Sequence, residues 1–223
     1  MNNVETISDS SREPGVQGFL HRPDSFAGMG LVLTHGAGGN AQSPLLVALS
    51  EAFADKGFAV LRCNLPFRQM RRFGPPRPGD AERDRKGLEN AADYMKRFFS
   101  GNIFLGGQSY GGRQASMLCA EKDVADGLLL LSYPLHPPGH PDRPRTQHLP
   151  NIRIPVMFVH GTRDPFGTIE EIESARKLIP GKTVLVPVEG AGHDLGSKGK
   201  AKRQELPTRV LDSFQQFFLL DAS

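Results

Sequence analysis

Gly107-Gln108-Ser109-Tyr110-Gly111 is the stretch on which the reading of this chain turns. It follows the apolar run Ile103-Phe104-Leu105 and precedes a helix-like segment, Arg113 to Ala120. A G-x-S-x-G pentapeptide between a strand and a helix is the signature of a nucleophile elbow. So sharp a turn drives its serine into a strained backbone conformation. Glycines two residues to either side remove the Cβ atoms that would strike the neighbouring strand and helix. The hydroxyl is lifted clear of the sheet, and the helix N-terminus behind it favours developing negative charge. An ordinary βα turn is the competing reading, since glycine and serine are common loop residues.

A serine hydroxyl is a poor nucleophile until a base takes its proton, so a base and an orienting acid should follow. Pro155–Val159 reads as a buried strand and runs into His160-Gly161-Thr162-Arg163-Asp164-Pro165. Thr183–Pro187 reads as another strand, followed by Glu189-Gly190-Ala191-Gly192-His193-Asp194. Asp164 and His193 therefore each stand on a loop just past a strand end. The order Ser109, Asp164, His193 is that of a nucleophile, an orienting carboxylate and a base on an α/β sheet.

Each of these residues has a plainer explanation. Asp164 before Pro165 is also a turn signal. Asp194 adjoins His193, but sequential neighbours in a loop seldom face each other, so it ranks below Asp164. His160 precedes the carboxylate where a base should follow it, which favours a structural role. His136, His140 and His148 fall in a proline-rich stretch whose default is a solvated loop, with His136 a candidate for the pocket wall. No spacing of histidines or cysteines suggests a metal site.

Near the start, the strand-like Gly30–Thr34 is followed by His35-Gly36-Ala37-Gly38-Gly39. Such a loop supplies one backbone N–H of an oxyanion hole, and the residue after the nucleophile supplies the other. Here the donors would be Ala37, or Gly38 beside it, and Tyr110, with Gly38 also a candidate substrate contact. A phosphate-cradling loop fits poorly, because neither a Gly-Lys-Ser/Thr ending nor a G-x-G-x-x-G spacing is present.

Taken together, His35–Gly39, Gly107–Gly112, His160–Gly167 and Gly190–His193 resemble the α/β-hydrolase superfamily. More narrowly, the chain is similar to small bacterial hydrolases grouped with a non-specific-lethal chromatin-complex subunit and a testis-expressed homologue. Leu131–Gly139 and Arg145–Pro150 share in that narrower likeness. Dienelactone hydrolases are a more distant comparison, known for a cysteine where Ser109 stands here. The resemblance runs from about residue 15 onward and implies an α/β-hydrolase fold, with a mostly parallel central sheet flanked by helices. Members commonly insert a lid after the sixth strand. Here only Tyr133 to Ile154 separates two strands, and six prolines stiffen it, so a minimal fold with no cap domain is expected.

Composition is that of one soluble domain spanning 1–223, with about residues 1–14 open to being a flexible N-terminal segment. At 223 residues, 38% hydrophobic and 23% charged, the chain can bury roughly 70–75% of its unfolded surface. Strands are expected at Val16–His21, Gly30–Thr34, Phe58–Arg62 and within Val124–Ser132. Helices are expected at Pro44–Lys56, Asp80–Phe99, Glu170–Leu178 and Glu205–Leu220. Cys63 and Cys119 read as reduced core residues. The opening residues carry no basic, apolar leader and no run reaches membrane-spanning length, so the expected location is the cytoplasm, with no membrane partner.

The net charge of +3 is unevenly spread. Arg68, Arg71, Arg72 and Arg77 cluster in one loop, and Lys198, Lys200, Lys202 and Arg203 in another. The absence of an aromatic stacking platform weighs against nucleic acid. A solvated loop or attraction of an anionic substrate remains, with Arg68 a candidate contact beside Gly38 and His136. The expected function is a serine hydrolase cleaving an ester or related acyl bond of a small soluble substrate without a cofactor. A non-catalytic interaction module on the same fold and an acyltransferase using the same three residues are the alternatives. Self-association is left open.

Overall fold

The computed structural model describes residues 3–196 and 202–220. Its sheet has eight strands: β1 (Asn3–Asp9), β2 (Val16–Arg22), β3 (Met29–Thr34), β4 (Phe58–Cys63), β5 (Asn102–Gln108), β6 (Gly127–Leu131), β7 (Val156–Gly161) and β8 (Thr183–Val188). Side chains alternate across a strand, so an unbroken apolar run needs cover on both faces. The leucines of β6 show this directly. Leu128 and Leu130 join one core cluster, while Leu129 and Leu131 join the other. Helices α1 (Pro44–Asp55) and α6 (Lys202–Gln215) cover one face through Leu46, Leu49, Phe53, Val210 and Phe214. Helices α3 (Asp80–Phe98), α4 (Tyr110–Glu121) and α5 (Ile169–Arg176) cover the other through Leu88, Met95, Leu118 and Ile172.

Strand order is β1-β2-β4-β3-β5-β6-β7-β8, with β2 antiparallel to both of its neighbours, β1 and β4, and every other neighbouring pair parallel. The chain leaves β3 for β4 on one side and returns to β5 on the other. That reversal opens a crevice at the carboxyl ends of β3 and β5, where ligands of open α/β sheets bind. The loops bearing Gly36–Gly39, Ser109, Asp164 and His193 all leave the sheet at this end. This is the α/β-hydrolase fold. Between β6 and β7 the described residues hold one short 3₁₀ turn, Leu149–Asn151, and no cap.

Three expectations need correction. The N-terminal segment is not loose where it is described: Asn3–Asp9 forms β1, paired along its length with β2. Only Ile7 of β1 is buried, so its sequence carries almost no apolar alternation. Its place comes from backbone pairing and from ion pairs of Glu5 with Arg22 and Asp9 with Arg97. The Arg68–Arg77 stretch is not all loop either, because Pro66–Met70 forms a short helix, α2. Finally, the helix expected to reach Leu220 ends at Gln215 and continues as a π-helical turn, Gln216–Leu220. Of the second basic cluster, Lys198 and Lys200 lie outside the described residues.

Candidate active site

Ser109 caps α4 with φ 52° and ψ −117°, a conformation that non-glycine residues rarely adopt. Its amide is tied to Leu131 O at 2.8 Å, which fixes the elbow against β6. A Cβ on Gly107 would lie 2.7 Å from Gly112 N, and one on Gly111 would lie 2.5 Å from His35 O. The two flanking glycines are thus required by contact between strand, loop and helix.

His193 reaches the serine from the loop after β8. Its Nε2 is 2.8 Å from Ser109 Oγ, and its Nδ1 is 2.8 Å from Asp164 Oδ2. The Asp164 side chain is fully buried, and its Oδ1 also accepts the Phe166 N–H at 2.9 Å. Turn former and histidine partner are therefore one residue in two roles. The two loops are knitted together by Gly190 N–H donating to Thr162 Oγ1 at 2.9 Å and Arg163 N–H to Ala191 O at 2.9 Å. Phe166 stacks on the imidazole with centroids 4.1 Å apart. Asp194 accepts from Gly196 N–H instead, and His160 is buried, donating from Nε2 to Gly167 O at 2.8 Å.

Ala37 and Tyr110 both line the cleft with Ser109. As the first helical residue, Tyr110 has an amide that its own helix cannot satisfy. In the opposite loop the internal turn bond runs from Gly39 N–H to Gly36 O, leaving the Ala37 amide outside it. His35 sets the base of this loop. Its Nε2 accepts the Leu65 N–H at 3.1 Å, so Nδ1 must carry the proton it donates to Gly36 O at 2.8 Å. Burial, above all, pushes this imidazole down to about 4, which keeps it neutral. Behind the elbow, buried Asp84 accepts the Tyr110 O–H at 2.7 Å and the Phe67 N–H at 2.9 Å. Burial raises its carboxyl above the usual range, and burial with the neighbouring Asp84 raises the Tyr110 phenol.

Two anticipated contacts lie elsewhere. Arg68 is buried, not on the rim, and its five N–H donors meet five carbonyls: Ala37, Gly39, Arg71, Arg72 and Gly74. It braces the Ala37 loop from behind. His136 is also buried and lines a different pocket, hydrogen-bonded to Pro137 O at 2.8 Å and facing Glu171 at 3.3 Å. Gly38 does line the cleft, whose volume is about 750 Å³. Its walls include Gln108, Arg113, Pro134, Arg145 and Phe166, none of which the sequence marked as a substrate contact. Arg113 had a detectable signal: four residues past Ser109, it shares the serine's side of α4.

The alpha/beta hydrolase domain family matches this chain over residues 27–218, and the chain belongs to it. Several solved structures share its fold across nearly their full length. A dienelactone hydrolase from Anabaena variabilis is 20% identical, with 97% of this chain and 99% of that chain aligned at a TM-score of 0.76. An alpha-beta serine hydrolase homologue from Coxiella burnetii is 18% identical, covering 95% and 98%, with a TM-score of 0.74. A serine hydrolase from Xanthomonas campestris, described as having no lid, is 14% identical, covering 97% and 96%, also at 0.74.

Proposed function

We propose that this protein is a serine hydrolase of esters or related acyl compounds, working through an acyl-enzyme. The observation that carries this is the continuous hydrogen-bonded chain from buried Asp164 through His193 to Ser109. Asp164 holds the imidazole with its proton on Nδ1, so Nε2 is free to accept. As the Ser109 Oγ–carbon bond forms, His193 takes the hydroxyl proton and the carbonyl electron pair moves onto oxygen. The Ala37 and Tyr110 amides stabilise that oxyanion. Collapse breaks the bond to the leaving oxygen, which receives the proton from His193. Water then repeats the sequence, releasing the acid and restoring Ser109.

A scaffold would have no physical need for a strained serine, a base and a buried orienting carboxylate in register. We place the protein among the narrower bacterial hydrolases that Leu131–Gly139 and Arg145–Pro150 resemble. We also place it in the cytoplasm, in keeping with its two buried free thiols, Cys63 and Cys119. The test is a fluorophosphonate probe followed by mass spectrometry. A single stoichiometric adduct on Ser109 is expected. Folded protein that takes no label, or takes it on another serine, would return the reading to an interaction module.

A further inference from the structure

Two guanidinium groups line the cleft that holds Ser109: Arg113 on α4 and Arg145 on the segment between β6 and β7. Arg113 Nε is buried with no hydrogen-bond partner. Among the described residues no carboxylate pairs with either side chain, and Arg145 makes one side-chain hydrogen bond, Nη1 to Pro134 O at 3.2 Å. The contrast with the deeply buried arginines is sharp. Arg62 donates to His21 and Ala41 O, and Arg68 meets five carbonyls.

A half-buried cation without a counter-charge is costly, and two in one cleft add mutual repulsion. Burial first, and then the charge of Arg113, lowers the Arg145 guanidinium from its ordinary value. The one carboxylate lining the cleft, Asp194, already accepts Gly196 N–H at 3.0 Å. Unspent donors on planar, permanently charged forks are suited to an oxyanion held by two hydrogen bonds at once.

We propose that the substrate carries, close to its scissile acyl bond, an oxyanionic group, carboxylate or phosphate, that Arg113 and Arg145 hold together. The position of the scissile bond rests on the hydrolase reading above; the anion site does not. Anion recognition is thereby assigned to the cleft wall and not to the Arg68–Arg77 stretch, for which the sequence left it as an alternative to a solvated loop and whose Arg68 is committed to backbone.

The test compares two p-nitrophenyl esters of similar size, the neutral butyrate and the anionic monosuccinate. Wild-type protein is set beside Arg113→Gln, Arg113→Lys and Arg145→Gln. The wild type should favour the monosuccinate in kcat/KM by about tenfold or more at low salt. That ratio should fall by about 10- to 100-fold in each Gln variant, the range of a charge-assisted hydrogen bond, with Arg113→Lys in between. A wild-type ratio near one, or equal losses on both esters, would overturn the assignment. Competition by glutarate against inorganic phosphate separates carboxylate from phosphate. Should neither ester turn over and Ser109 resist the fluorophosphonate, the hydrolase reading has failed and calorimetry decides the anion site. Binding of glutarate or phosphate that Arg113→Gln abolishes supports it, and no binding to the wild type rejects it.

Discussion

Ser109 stands on a backbone conformation that costs of order 1–3 kcal/mol, and it is held there by Leu131 O and by glycine contacts on both sides. Such strain persists where the surroundings over-determine it, and here the result is a hydroxyl 2.8 Å from an imidazole. Residues that act as one unit fail as one unit. Ser109→Ala and His193→Ala are each expected to lower kcat by about 10⁴ to 10⁶, with the double variant little worse than either. Asp164→Asn should leave the protein folded and cost about 10⁴, by presenting the wrong tautomer to the serine. Steady-state kinetics with circular dichroism checks both expectations. A harmless Asp164→Asn alongside a crippling Asp194→Asn would reassign the carboxylate.

At the scale of elements, the Ala37 loop is shaped by pieces far from it in sequence. Arg68 from α2 holds Ala37 O and Gly39 O at 2.8 Å each, and His35 bridges to Leu65. Asp84 from α3 secures both α2, through the Phe67 N–H, and the Tyr110 ring of α4. Arg68→Met should therefore weaken two things together. Stability is expected to fall by about 3 kcal/mol as charge-assisted bonds to buried carbonyls are lost. A drop in kcat of about tenfold should accompany it as the oxyanion donor loosens, within the range for one such group. Arg72→Met, at an exposed neighbouring position, should stay within about 0.5 kcal/mol of wild type in urea unfolding. Equal behaviour of the two variants would contradict the bracing role. None of this was legible in the run Pro66–Met70, because its helix is stabilised by a carboxylate on another helix. The flanking elements were legible, since their apolar periodicity reflects burial that no single partner has to supply.

At the scale of the molecule, the sheet's carboxyl edge carries an open cleft of about 750 Å³ and, among the described residues, no cap over it. Acetyl to hexanoyl esters should be preferred to lauroyl and palmitoyl esters, with no jump in rate above the micellar concentration. Higher kcat/KM on the long chains would require a hydrophobic tunnel. Acid stability is a second whole-molecule property. His21, His35 and His148 are each pushed from 6.5 down to about 4, burial being the leading cause in every case. A histidine that binds its proton less well when folded contributes stability fully above 6.5 and loses it as the pH falls toward 4. The urea midpoint should therefore drop steadily between pH 6.5 and 4. Asp84 opposes the trend, since protonating it relieves a buried charge, but it is one group against four, because burial also lowers His160. A midpoint unchanged across that window would show that these imidazoles are not held neutral by the fold.

The amino-acid sequence by itself determined the fold class, the two helical layers and the chain order of Ser109, Asp164 and His193. Those features are written in local pattern: apolar runs, glycine spacing and residues at strand ends. Only the tertiary structure decided what the charged residues do. Arg68 reads in sequence as a loop residue or substrate contact and is committed to five carbonyls, Asp84 is buried between α2 and α4, and Arg113, in the first turn of α4, lines the cleft with no carboxylate partner among the described residues. A charged side chain's role depends on which partners the fold brings within hydrogen-bond reach, and those partners come from across the chain. Strand β1 follows the same logic: its pairing is made by backbone groups that every sequence possesses.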